Sequence, residues 1–266
     1  PSALEKYRTM LAEQIQYFKV TQYFFFKQWI ELKNYANQKG IQIIGDMPIY
    51  VAADSVEVWT KPELFQLDEE RNPLVVAGVP ADQFSATGQL WGNPLYAWEE
   101  HKKQGYAWWI HRIEESFKIY DVLRIDHFKG FSDYWQVDGK AEVAKDGSWQ
   151  PGPGYDLFKA VKEQLGDLPI IAEDLGNIDD KARKLLTDCN YPGMKILQFG
   201  FEDVSGESLD SPHYCIPHSI VYTGTHDNDV TNGWYNSLTE QQQQYINDYT
   251  HRREDESICQ AMIRQL

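Results

Sequence analysis

Apolar residues recur three and four positions apart from the start of the chain. Leu4, Tyr7, Leu11, Ile15 and Phe18 share one side of a predicted helix, inside a run from 2 to 39 that contains neither Gly nor Pro. Gly40 then supplies a C-terminal stop. The apolar stretch Ile41-Gln42-Ile43-Ile44, bounded by glycines, predicts a buried strand. The same unit returns further along. Tyr106, Trp109, Ile110, Ile113, Phe117 and Tyr120 define a helical face over 105–120, and Val122-Leu123-Arg124-Ile125 follows as a strand. Leu157, Phe158, Val161 and Leu165 precede Ile170-Ile171-Ala172, and a helix near 179–189 precedes a strand over Lys195–Phe199. Ser219-Ile220-Val221-Tyr222 comes last. Short strands, most of them preceded by a helix, predict parallel βα units in an α/β fold, either a doubly wound sheet or a (β/α)8 barrel. The Gly-, Pro- and Asn-rich span 72–97 exceeds a plain connection and is expected to be a functional loop.

Composition narrows the function classes. The 266 residues include 25 Lys+Arg against 40 Asp+Glu, a formal charge of −15 that repels a phosphate backbone or an acidic membrane surface. Neither nucleic acid nor membrane is therefore an expected partner. No apolar run approaches the ~20 residues of a membrane span. An aromatic content of 14% argues against disorder. Cys189, Cys215 and Cys259 are odd in number and far apart, which supports neither a disulfide framework nor a metal pair and suits a reducing, cytoplasmic setting. The chain opens on Pro1 and leads directly into helix, so it is expected to be an excised or processed piece.

Candidate chemistry lies after the strands. Gly45-Asp46, Asp126-His127, Glu173-Asp174 and Thr225-His226-Asp227-Asn228-Asp229 each follow one, at the C-terminal edge where parallel sheets and barrels place their active sites. An acid at one strand end commonly caps the next helix. Four together are harder to explain that way, and Asp126 runs into His127-Phe128-Lys129-Gly130 rather than an evident helix start. Metal binding is poorly supported: Asp227-Asn228-Asp229 begins like a calcium loop, but Asn232 and Leu238 stand where Gly and Glu are required. Phosphate cradles and the G-x-S-x-G elbow are absent. Paired carboxylates remain, the arrangement that glycosidic cleavage needs. Aromatic residues suit sugar faces, and Trp91, Tyr96, Trp98, Trp108 and Trp109 are candidates, although helical periodicity makes core packing the better reading for Trp108 and Trp109.

Leu123-Arg124-Ile125-Asp126-His127-Phe128, Ala172-Glu173-Asp174-Leu175-Gly176 and Thr225-His226-Asp227-Asn228-Asp229 resemble the motifs of the amylomaltases, or 4-α-glucanotransferases, retaining enzymes of the α-amylase clan. Gly45-Asp46-Met47-Pro48-Ile49-Tyr50-Val51 is similar to their first motif. Val76 to Ser85, running on to Gly88-Gln89-Leu90-Trp91-Gly92-Asn93-Pro94, is similar to their substrate-covering loop. The resemblance implies a (β/α)8 barrel, here incomplete with about strands three to seven, filling 1–266 with a loop insertion near 52–104. It implies Asp126 as nucleophile, Glu173 as general acid then base, and Asp227 as the holder of the 2- and 3-hydroxyls. Arg124 would keep Asp126 ionised, His226 would bond a sugar hydroxyl, and Asp46, Asp82, Trp91 and Asn93 would contact the glucan. Maltooligosaccharides or α-1,4-glucans are the implied partners, and no cofactor or metal is implied. Ala81 replaces a second Pro usual in the family and is expected to loosen the loop; Lys129 stands where Arg is common.

The mechanism requires Glu173 to be protonated when substrate binds, and so to sit in a less polar setting than Asp126. Two other readings follow from the same residues. One is an inactive glucan-binding or structural piece of such an enzyme, since a barrel lacking strands leaves open edges. The other is a calcium-dependent α-amylase-type hydrolase, although Met47-Pro48-Ile49-Tyr50 lacks the Asn-His ending of that clan's first motif.

Overall fold

The fold was described from a computed structural model, for residues 2–81, 85–176 and 178–266. In chain order the strands are β1 (Ile44–Pro48), β2 (Val75–Val79), β3 (Gln89–Pro94), β4 (Val122–Asp126), β5 (Asp133–Asp138), β6 (Ser148–Pro151), β7 (Ile170–Ala172), β8 (Gly193–Ile196) and β9 (Ser219–Tyr222). A parallel strand lies at or beside each of the five predicted ones, in the orders β1-β4-β7 and β8-β9. The two groups adjoin where the Ala172 N–H donates to the Pro192 carbonyl at 3.0 Å. The chain is therefore α/β.

Central β4 has Leu123, Arg124 and Ile125 buried, as a strand covered on both faces must. Helices Ala107–Ile119, Tyr155–Leu165 and Asp180–Cys189 pack Trp109, Ile113, Leu157, Phe158, Val161 and Leu185 into one core with Leu123, Ile125, Ile170 and Ala172. A separate core joins Leu197, Phe201, Trp234, Ile246, Ile258 and Met262 beneath the last helices.

Several elements depart from the periodicity. The stretch 41–44 is mostly not strand: Ile41 N–H closes the preceding helix onto the Ala36 carbonyl, while Gly40, at φ +76°, donates to Asn37, the paired bonds of a Schellman stop. Ile43 N–H is taken by Asp121 Oδ2. The strand begins only at Ile44, and its buried positions are Gly45 and Met47. β8 likewise starts earlier than the apolar run at 195–199, whose last residues form the short helix Leu197–Gly200. The span 72–97 is largely hairpin, with β2 and β3 joining β5 and β6 in an antiparallel sheet of order β3-β2-β5-β6.

Residues 2–38 are helical with one break at Leu11, but no residue there is buried, and Leu4, Tyr7, Leu11 and Phe18 are exposed. Only the far end of helix Ala12–Gln38 is anchored. Trp29 Nε1 donates to the Ile119 carbonyl at 2.8 Å, and Lys33 Nζ lies 3.3 Å from Asp121.

Candidate active site

Arg124 and Asp126, two apart on β4, project to the same side. Parallel pairing sets Asp46 of β1 opposite Arg124. One guanidinium nitrogen, Arg124 Nη1, reaches Asp46 Oδ1 at 2.6 Å and Asp126 Oδ1 at 2.9 Å, from a side chain only 8% exposed. Beyond Asp126 the backbone turns through the left-handed region at His127, φ +53°. The His127 N–H donates to Glu173 Oε2 at 2.8 Å, and the Leu175 N–H meets Oε1 at 2.8 Å. Glu173 is fixed from behind as well: its N–H donates to Ile125 O and its carbonyl accepts from Phe128 N–H.

The segment after β9 closes a third side. Asn228 Oδ1 accepts from Thr225 N–H at 2.8 Å and from the Thr225 hydroxyl at 3.1 Å, a local turn that presents His226 and Asp227. His226 Nε2 lies 3.7 Å from Asp46 Oδ2 and 3.5 Å from Asp227 Oδ1, and both His226 and Asp227 are open to solvent. Four strand ends thus bring together Asp46, Arg124, Asp126, Glu173, His226 and Asp227.

Trp91 meets the His127 ring edge-on, with centroids 4.8 Å apart, and tilts against Tyr50 at 6.2 Å. Asn93 Nδ2 donates to the Val51 carbonyl at 3.0 Å, tying the hairpin to the segment after β1. Trp91, Asn93, Tyr50, His127 and Asp126 line a cleft of about 150 Å³. Asp82 lies outside the described residues. Tyr96 is not available to a ligand: it is 1% exposed, with its hydroxyl donating to Ile49 O. Trp109 is fully buried, and Trp98 and Trp108 pack against the same core.

Electrostatics separate the carboxylates. Burial pushes Glu173 up to about 7, the N–H bonds from Leu175 and His127 pull the other way, and the negative charge of Asp126 adds to the rise. Asp126 is also raised, first by burial. The Arg124 charge opposes that rise while Asp46 and Asp227 add to it. The larger displacement is at Glu173. His127 is lowered to about 4 by burial and by the Lys129 charge, so its ring is neutral at pH 7.

Residues 1–266 match the 4-alpha-glucanotransferase family throughout. The chain belongs to that family. The 4-alpha-glucanotransferase of Streptococcus pneumoniae serotype 4 is 53% identical over 264 residues, covering 99% of this chain and 52% of the relative. That of Thermus thermophilus is 46% identical over 262 residues, covering 96% and 52%. An amylomaltase structure from Streptococcus agalactiae in complex with acarbose superposes at a TM-score of 0.97 with 59% identity, covering 99% of this chain and 53% of that one. The chain spans about half the length of the curated relatives it matches.

Within this 4-alpha-glucanotransferase-family chain, sequence reasoning passed over Tyr50 and Trp149 as site residues and noted Lys129 only as a departure. Tyr50 ends the Met47-Pro48-Ile49 motif, a usable signal. Trp149 carries none, because it sits on a strand that the pattern did not predict. Lys129 Nζ bonds Asp179 Oδ2 at 2.6 Å, lies 3.0 Å from Asp133 Oδ1, and rests 4.6 Å from the Trp149 ring centroid. Among the described residues, no helix is long and apolar enough to cross a membrane.

Proposed function

We propose that these residues carry the catalytic centre of a 4-α-glucanotransferase that moves α-1,4-glucan segments between maltooligosaccharides by retaining double displacement. The observation that carries the reading is the Glu173 carboxyl, shifted to about 7 and hydrogen-bonded to the peptide N–H that directly follows Asp126. Neutral Glu173 gives its proton to the departing glycosidic oxygen while an Asp126 oxygen bonds to C1, and the C1–O bond to the leaving chain breaks. Glu173, now ionised, takes the proton of an incoming sugar hydroxyl as that oxygen displaces Asp126 from C1. Arg124 neutralises Asp126 as it is regenerated. Asp227, beside His226 and open to solvent, is placed to hold the 2- and 3-hydroxyls, with Asp46, Trp91, Asn93 and Asp82 as further glucan contacts. Acarbose bound to the Streptococcus agalactiae amylomaltase supports a glucan-like ligand.

The five parallel strands are best understood as consecutive staves, about the third to the seventh, of an incomplete (β/α)8 barrel occupying 1–266. Carboxylates at the ends of several strands on one edge support this. The 75–94 hairpin, within the insertion near 52–104, then covers the cleft and favours a sugar acceptor over water.

Digestion of maltotriose by the full-length protein tests the reading. Longer oligosaccharides plus glucose, lost in Asp126→Asn and Glu173→Gln, are expected. Glucose and maltose with no product longer than the substrate mean a hydrolase, and no turnover means a glucan-binding or structural piece.

A further inference from the structure

Glu173 opens onto a second and larger cavity, about 540 Å³, that Asp126 does not line. Trp91 and His127 line both this cavity and the cleft beside Asp126, so the two spaces meet along those side chains. In a double displacement the acid/base stands on the side of the departing and arriving oxygens, and the nucleophile stands beneath the retained sugar. We infer that the cavity on the Glu173 side receives the leaving and acceptor glucan, with Trp149 as its sugar-stacking platform and a determinant of acceptor preference. The inference rests on the glucanotransferase reading above and goes beyond it by assigning a residue.

Trp149 is suited to that task. It is 43% exposed on the edge strand β6, opposite Trp135 in the antiparallel register, and the Trp135 ring meets it edge-on at 5.2 Å. Lys129 sits over the Trp149 ring and is held by Asp133 and Asp179, which fixes the ring against the cavity wall. Trp91 and Trp149 lie on the two outer strands of the sheet β3-β2-β5-β6. Three strand spacings, roughly 14 Å, separate those strands, a span longer than one pyranose ring. A chain running from Glu173 along this wall meets aromatic surface at both ends. In the second half-reaction the acceptor hydroxyl loses its proton to Glu173, its oxygen bonds to C1, and the C1–O bond to Asp126 breaks, returning the carboxylate. Seating of the acceptor ring decides whether sugar or water takes that step.

An α-maltosyl fluoride donor deoxygenated at its non-reducing-end C4 separates the two sides: fluoride leaves without occupying the cavity, the donor cannot act as its own acceptor, and in the absence of acceptor water takes the glycosyl group from Asp126. In the full-length protein, Trp149→Ala should release fluoride in the absence of acceptor within about twofold of the wild type. Its KM for maltotriose as acceptor should rise ~10-fold or more, the loss of about 1.4 kcal/mol of binding, and Trp149→Phe should recover most of it. An unchanged acceptor KM overturns the assignment. So does an equal fall in acceptor-free fluoride release, which indicates a merely structural role. If the wild type releases no fluoride dependent on Asp126, the glucanotransferase reading itself fails, an outcome visible before any Trp149 variant is measured.

Discussion

Replacing Glu173 by Gln should make the protein inactive and make its stability rise relative to wild type as the pH is raised. Moving a carboxyl from its ordinary 4.5 to about 7 places a cost of about 3 kcal/mol on the ionised form in the fold. The sign follows from linkage. Below about 4.5 the group is neutral folded and unfolded, and no penalty exists. Between 4.5 and 7 the unfolded chain ionises while the fold keeps its proton, so stability is lost as pH rises, and above 7 the full penalty persists. Glutamine has the shape of the neutral acid and cannot ionise. Both carboxyl oxygens accept an N–H, from His127 and from Leu175, and the hydroxyl oxygen of the neutral acid can still accept. The amide nitrogen of Gln cannot, so the variant loses one hydrogen bond, a cost that is independent of pH. Relative to wild type, the variant should gain about 2 kcal/mol of stability between pH 5.5 and pH 8.5. Urea unfolding of the two full-length proteins at both pH values measures this. A difference between them that is the same at pH 5.5 and 8.5 would refute the claim that burial keeps Glu173 neutral.

Transfer activity of the wild type should fall on the basic side with a midpoint near 7, the proton loss of Glu173, read from kcat/KM against pH. Arg124→Met removes the cation shared by Asp46 and Asp126, whose half-exposed carboxylates are left without it, which should cost about 1–2 kcal/mol in unfolding experiments. It should also move the acidic limb of kcat/KM to higher pH, since Asp126 then ionises less readily; an unmoved limb would count against Asp126 as nucleophile. Gly45→Ala drives a methyl into the Tyr120 ring. Overpacking of that kind should cost about 1–3 kcal/mol, and a simultaneous Tyr120→Ala should recover part of it in the same unfolding assay.

Short-range chemistry was the most legible part of the sequence. The spacing Arg124-x-Asp126 on a strand already puts both side chains on one face, and the structure adds only that Asp46 is their third partner, through a pairing register that no local pattern contains. Helix 107–119 was readable for the same reason, since its buried Trp109 and Ile113 follow the helical period. Two features were not legible. β5 and β6 carry Asp133, Gln136, Ser148 and Gln150 among their aromatics, and half-exposed antiparallel strands of that composition look like loop until their partners are known. The helix 12–38 shows the opposite failure. Its apolar spacing is genuine, but periodicity reports a face and not what covers it, and among the described residues its first half is exposed.

The identity of the two carboxylates depends on a single backbone turn. His127 adopts φ +53°, a conformation costing roughly 1–2 kcal/mol for a residue with a side chain. Its N–H, oriented by the end of β4 toward β7, donates to Glu173 Oε2; the left-handed φ then turns the chain so that the Phe128 N–H meets the Glu173 carbonyl. The same turn stacks the imidazole edge against Trp91, where burial and the Lys129 charge keep it neutral. A protonated imidazole there would add a positive charge beside Glu173 and favour its ionised form. The strained residue therefore acts twice on the acid: its backbone fixes where the carboxyl points, and its uncharged ring leaves burial free to hold the proton. Asp126, one position earlier on the unstrained strand, meets the charged Arg124 instead. Adjacent positions on one chain thus help to create two unequal carboxyl environments, both raised by burial but only one of them in contact with a cation, the asymmetry that the proposed double displacement needs.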